Sequence, residues 1–247
     1  AHSNGLMATA IVNHMVKSGI KTVSFLGYAD AYGESWLNEA KSRMEKAGIK
    51  LIGVERFGRG DTAVTAQALK LTSLNPDAIL IVASGSGSAM PHLALVDRGY
   101  KGKIYQTHGA ASRDLIRVGG KGVEGAFVSS SPVVVADQLP ADHRNKKEAM
   151  RFVQLYEKAY GAGSRNAFSA HGWDVYLILD KVIPVATKKA RPGTPEFRAA
   201  LRDAFETVPE ITVTGGVIDY TPNDHWGYKD NDAIVMKIVN GEYKLEN

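Results

Sequence analysis

Between the turn residues Asn75-Pro76 and the run Ser84-Gly85-Ser86-Gly87-Ser88 lies Asp77-Ala78-Ile79-Leu80-Ile81-Val82, a segment with almost no polar side chains. A strand with one wet face alternates apolar and polar residues. A strand that is apolar on both sides needs cover on both, which is the situation in a parallel sheet carrying helices on either face. The neighbouring sequence fits that demand. Val23–Leu26, Leu51–Val54, Lys103–Gln106 and Gly125–Ser130 read as further strands. Helical spacing appears in Met7, Ile11 and Met15, in Trp36, Leu37, Ala40 and Met44, and in Val64, Ala68 and Leu71 behind an N-cap expected at Asp61-Thr62. Met90–Arg98 and the shorter Leu115, Ile116, Val118 piece complete the set, with Gly19, Gly48 and Gly99 as stops. Strands alternating with helices of this length predict parallel βαβ units.

The pattern changes after Ser130. Pro132 to Asn145 reads as a loop, and three helical patterns follow with no strand between them: Lys147–Tyr160, Phe168–Lys188 and Pro195–Phe205. Pro184 is expected to kink or end the second. The tail returns to β structure at Gly216–Tyr220, Ala233–Val239 and Glu242–Leu245, the last two joined by Asn240-Gly241, a hairpin signal. Three amphipathic helices need a surface to cover, and the chain offers them little sheet. The chain also begins in a helix, so a strand-rich N-terminal portion is expected to be missing.

Totals exclude several functions. There is no cysteine, which removes disulfides, thiolate nucleophiles and thiolate metal sites. The net charge of +4 is spread along the chain without the basic stripe and aromatics that nucleic-acid binding requires. No apolar run reaches the length of a membrane span, and Ala1-His2-Ser3-Asn4-Gly5 lacks the regions of a secretion signal. The histidines His92, His143 and His225 have no ligand spacing, so surface or capping roles are expected, no metal or cofactor is predicted, and His171 is expected in the core.

Three strand ends run into loops of similar design: Leu26 into Gly27-Tyr28-Ala29-Asp30-Ala31-Tyr32-Gly33-Glu34, Val82 into the glycine-serine run, and Gln106 into Thr107-His108-Gly109-Ala110. In a parallel sheet ligands bind beyond the carboxyl ends of the strands, so these loops are expected to share one small-molecule site. Ser84-Gly85-Ser86-Gly87-Ser88 could present amides and hydroxyls to an anion, or serve only as a flexible turn. It matches neither GxGxxG, GxxxxGK[ST] nor GxSxG. Asp30 reads as the cap of the following helix. A triad of Ser86, His108 and Asp114 can be drawn, as in any chain of this size, and catalysis is not expected.

The chain resembles the type I periplasmic binding proteins, specifically the branched-chain amino acid receptor group of ABC-transporter solute-binding proteins. The resemblance is carried by Tyr32-Gly33-Glu34, Asp61, Asn75-Pro76-Asp77-Ala78-Ile79, Gly109, Gly125, Trp173-Asp174 and the tail from Asp224-His225 to Asn240-Gly241. It runs along the whole chain and rests on order and spacing, not on one motif. Asp30-Ala31-Tyr32-Gly33, Tyr105-Gln106-Thr107-His108-Gly109 and Asp224-His225 look closest to members that bind aromatic or keto acids.

The resemblance implies an α/β fold of the periplasmic binding protein-like I type: a Rossmann-like parallel sheet sandwiched by helices, in two lobes joined by a hinge, one lobe incomplete. Residues 1–135 would be most of the C-terminal lobe, 136–210 the helical part of the other lobe, and 211–247 a β tail crossing back. It further implies a periplasmic or extracellular monomer that traps a small organic acid by hinge closure and presents it to an ABC transporter permease, with no catalysis, cofactor, nucleic acid or membrane insertion. Branched-chain amino acid binding, a Rossmann-like enzyme with a phosphorylated cofactor, and a ligand-sensing receptor domain are the alternatives.

The ligand-binding residues expected are Tyr32, Ser84, Gly85, Ser86, Thr107, His108 and Gly109. Tyr32 matches the position where the family sets an aromatic against the ligand. His108 matches the position where the amino-acid receptors carry a carboxylate for the ligand's α-ammonium. Histidine cannot supply that negative charge, and a buried ammonium without a partner is costly. The resemblance therefore implies a ligand with a carboxylate and no α-amino group.

Overall fold

A computed structural model describes residues 1–246. Its contacts fall into two units: residues 3–130 with 233 onward, and residues 1–2 with 131–232. The divisions thus lie after Ser130 and Asp232, whereas the sequence reading placed them at 135 and 210. The difference at the tail arises because its first strands pair with each other and pack on the preceding helices.

In the larger unit α1 (Asn4–Lys17), β1 (Thr22–Tyr28), α2 (Ala31–Lys46), β2 (Lys50–Phe57), α3 (Thr65–Ser73), β3 (Ala78–Val82), α4 (Ala89–Asp97), β4 (Lys103–Gln106), α5 (Arg113–Gly119) and β5 (Phe127–Ser130) follow in order. The chain returns to this unit as β8 (Ile234–Val239) and β9 (Glu242–Glu246). The sheet order is β2-β1-β3-β4-β5-β8-β9, parallel from β2 to β5 and antiparallel from β5 to β9.

β3 is central, and every residue from Ala78 to Val82 is buried. Leu80 and Val82 face α1 and α2 with Met7, Ile11, Trp36 and Met44, while Ile79 and Ile81 face α3 and α4 with Val64, Ala68, Leu71 and Leu95. Burying each such aliphatic side chain is worth about 1.5–3 kcal/mol, so this strand fixes the layer order. The β8–β9 hairpin turns at Asn240 and Gly241, whose φ values of 55° and 71° are those a two-residue hairpin turn of this kind requires.

The smaller unit holds α6 (Lys146–Tyr160), α7 (Ala167–Thr187), α8 (Pro195–Thr207) and a two-stranded sheet of β6 (Ile211–Val213) and β7 (Gly216–Ile218). α7 and α8 pack on this hairpin through Ile178, Val182, Ala204, Ile211 and Ile218. The faces of α6 and α7 bearing Leu155, Tyr160, Phe168 and Tyr176 are exposed.

Local expectations needed correction at five places. Asp61 does not cap α3, which begins at Thr65; its carboxylate instead accepts from the Gly58 N–H at 2.8 Å and closes a turn. Pro132–Gln138 is a 3₁₀ segment, not an open loop. α7 continues past Pro184 to Thr187. β6 was not foreseen, and β7 ends at Ile218, before Tyr220. Val118, assigned to an apolar helix face, is exposed.

Candidate functional site

The carboxyl ends of β1, β3 and β4 lie side by side because these strands are sheet neighbours. After β1 the chain turns through Asp30, which has extended φ/ψ and caps α2: its Oδ1 accepts from the Gly33 N–H at 3.0 Å. That amide holds the Asp30 carboxyl below its ordinary range. The cap sets Tyr32 in the first turn of α2, where its hydroxyl lies 2.8 Å from Thr107 Oγ1 after β4. Thr107 in turn reaches the Ala83 carbonyl at 3.3 Å. A threonine hydroxyl has one proton, so with that proton on Ala83 the Tyr32 phenol donates to Thr107. Burial pushes the phenol up to about 12, which keeps it protonated for this role.

His108 opens a 3₁₀ turn and is half-buried. Its ring stands edge-on to Tyr32 at 6.2 Å and tilted against Trp36 at 5.7 Å. Gly109 is required by space: a Cβ there would lie 2.7 Å from the Tyr32 hydroxyl and 2.8 Å from the Ala83 carbonyl, and 3.2 Å from Ser84 Cβ. These contacts bring Tyr32, Ser84, Thr107, His108 and Gly109 together. Gly85 and Ser86 share the Ser84 loop, with Ser86 exposed.

Sequence reasoning passed over Arg59. Its guanidinium donates to Asp30 Oδ2 at 2.7 Å and to Ser84 Oγ at 3.3 Å, and stacks over the Tyr28 ring at 4.2 Å. It thereby ties together the loops following β1, β2 and β3. The available signal was Phe57-Gly58-Arg59-Gly60, a glycine-flanked arginine just past a strand's carboxyl end. The carboxylates on these loops are matched: Asp30 by Arg59 and Gly33, Glu34 by Arg56, and Asp61 by Gly58.

Other candidates fall elsewhere. Asp114, the third residue of the triad that could be drawn, pairs instead with Arg117 at 2.9 Å. His92 is neither surface nor cap: it is buried, 3.4 Å from Gln106 Nε2. His225 is exposed on Glu206 at 2.9 Å, and His171 is half-buried 3.7 Å from Asp174. Among the described residues no group of three His, Asp or Glu side chains is placed to hold a metal ion, and no helix is long and apolar enough to cross a membrane.

A family profile described as periplasmic binding protein matches residues 2–242. The chain belongs to the periplasmic binding protein family. Its fold is that of the type I periplasmic binding proteins. An extracellular ligand-binding receptor from Rhodopseudomonas palustris is 44% identical with a TM-score of 0.97, covering 100% of this binding protein and 69% of the receptor. A leucine-binding protein from Thermotoga maritima is 24% identical (TM-score 0.79; 99% and 65% covered), and an R. palustris ABC transporter solute-binding protein in complex with benzoate is 17% identical (TM-score 0.73; 98% and 62% covered). These two share the fold of this binding protein. None of the curated proteins matches it. The family consists of solute-binding receptors, and the architecture expected from sequence, a mostly parallel sheet covered by helices, is the one observed.

Proposed function

We propose that this periplasmic binding protein captures a small organic acid that lacks an α-amino group, an aromatic carboxylate or keto acid, and delivers it to the permease of an ABC importer. The observation that carries the reading is electrostatic. Tyr32, Thr107 and His108 meet in one place, and each carboxylate on the surrounding loops is already matched by an arginine or a backbone amide. Such a site offers an α-ammonium no counter-charge, and leaving one buried and unpaired is costly. It offers an acid the serine hydroxyls and amides of residues 84–86 and the imidazole of His108, with the partly exposed ring of Tyr32 for apolar contact. The benzoate complex of a distant relative is consistent with that ligand class.

In this reading the larger unit is the C-terminal lobe, capture proceeds by the hinge closure the family resemblance implies, and the protein acts in the periplasm as a monomer without catalysis. Competition calorimetry with benzoate, phenylpyruvate, an aliphatic keto acid and leucine tests it. The acids are expected to bind and leucine to compete poorly. Leucine displacing all three acids would replace the reading with amino-acid binding, and turnover of any of them would replace it with an enzyme.

A further inference from the structure

The chain passes between its two units three times: after His2, after Ser130 and after Asp232. On the smaller unit's side these passages are held by His2, Ser131 and Asp232, which are 4%, 1% and 1% exposed. All three meet the same turn, Thr214-Gly215-Gly216, between β6 and β7. His2 Nε2 is 3.2 Å from the Gly215 carbonyl oxygen. A Cβ on Gly215 would lie 2.7 Å from the His2 ring and 2.9 Å from Ser131 Oγ, and one on Gly216 would lie 2.4–2.8 Å from the Asp232 carboxylate. Neither glycine has a left-handed φ, so what excludes a side chain here is space alone.

The turn is itself clamped. The buried Asp174 accepts from the Thr214 N–H at 2.7 Å, and the buried Asn145 donates to the Thr214 carbonyl at 2.7 Å. The passages are braced from behind: His2 stacks on Tyr228 at 4.0 Å, and Asp232 accepts from the Lys229 N–H at 2.8 Å while pairing with Arg144. Packing this close leaves no room for one passage to shift without displacing the turn, and through it the other two.

We propose that Thr214-Gly215-Gly216 is the common anchor of the three passages, holding them as one block with the smaller unit. Hinge bending is then taken up on the other side, at Ser3, Ser130 and Ala233. The purpose assigned to the anchor rests on the hinge-closure part of the proposed function; its test does not.

Native-state hydrogen exchange on the whole chain without ligand reads the anchor directly. Amides at residues 3, 131, 215–217 and 231–233 are expected to open together as denaturant is raised. Asn145→Ala, which frees the Thr214 carbonyl, is expected to speed exchange at all three passages by a similar factor, about tenfold for one buried hydrogen bond. Gly216→Ala, whose Cβ would press first on the Asp232 carboxylate, is expected to loosen His2 and Ser131 as well. Separate openings in the unsubstituted chain, or an Asn145→Ala effect confined to residues 213–217, would overturn the proposal whether or not the glycine variant folds. X-ray scattering with benzoate is read independently: an unchanged radius of gyration would remove hinge closure and leave the anchor standing.

Discussion

His108 stands beside the rings of Tyr32 and Trp36, and in the proposed function its chemistry decides what charge the site accepts. His108→Asp would introduce the counter-charge an ammonium needs. It is expected to weaken benzoate binding by about 2 kcal/mol and to bring leucine into the measurable range, checked by calorimetry with both ligands. Loss of benzoate binding without any gain for leucine would separate damage to the niche from a change of charge. Gly109 is constrained differently, by the Tyr32 hydroxyl and the Ala83 carbonyl. Gly109→Ala is expected to cost about 1–3 kcal/mol in urea unfolding, because the Cβ must displace backbone as well as a side chain. Adding Tyr32→Phe removes one of the two obstructing oxygens and should recover only part of that loss.

α4 shows how an element's packing makes stability depend on pH. His92 lies on its buried face, and burial lowers the imidazole to about 4. In the unfolded chain a histidine takes its proton near pH 6.5. Between those values the unfolded state binds more protons than the folded one, so unfolding becomes easier as pH falls. Above about 6.5 this histidine contributes no pH dependence, and by pH 4 the accumulated loss is about 3 kcal/mol. His14, lowered by burial on α1, acts in the same direction. His92→Gln should flatten part of the acid limb in denaturant titrations between pH 7 and 4. An unchanged limb would place the acid sensitivity elsewhere. α2 illustrates a second rule of elements: Asp30 caps the helix and simultaneously positions Tyr32 one turn in, so Asp30→Ala should cost about 1 kcal/mol and also lower affinity.

For the molecule as a whole, ligand capture is a stability statement. A ligand that binds only the folded chain at one hundred times its dissociation constant adds about 2.7 kcal/mol, which for a chain of this size raises the melting temperature by roughly 5–10 °C. The proposed acids should produce that shift and leucine at the same concentration should not, in differential scanning fluorimetry. The smaller unit poses a contrasting problem. α7 and α8 rest on a sheet of two short strands, while α6 packs on the Pro132–Gln138 segment, with an aromatic groove between α6 and α7 lined by Phe152, Tyr156, Trp173 and Tyr176.

What the sequence determined by itself was local and periodic. The double-sided apolar run at Ala78–Val82 dictated a covered parallel sheet, helix faces such as Met7, Ile11 and Met15 announced their own burial, and Asn240-Gly241 specified a hairpin. Tyr32, Thr107 and His108 were legible as a group because strand ends in such a sheet share one edge. Arg59 was missed because its bonds to Asp30 and Ser84 join loops that only the strand order β2-β1-β3 makes adjacent. His92 was misplaced because a lone histidine carries no sign of burial until Gln106 is set against it. The gathering of His2, Ser131 and Asp232 on one glycine turn could be decided only by tertiary structure, since His2 and Ser131 each lie more than eighty positions along the chain from Gly215, with no pattern between them.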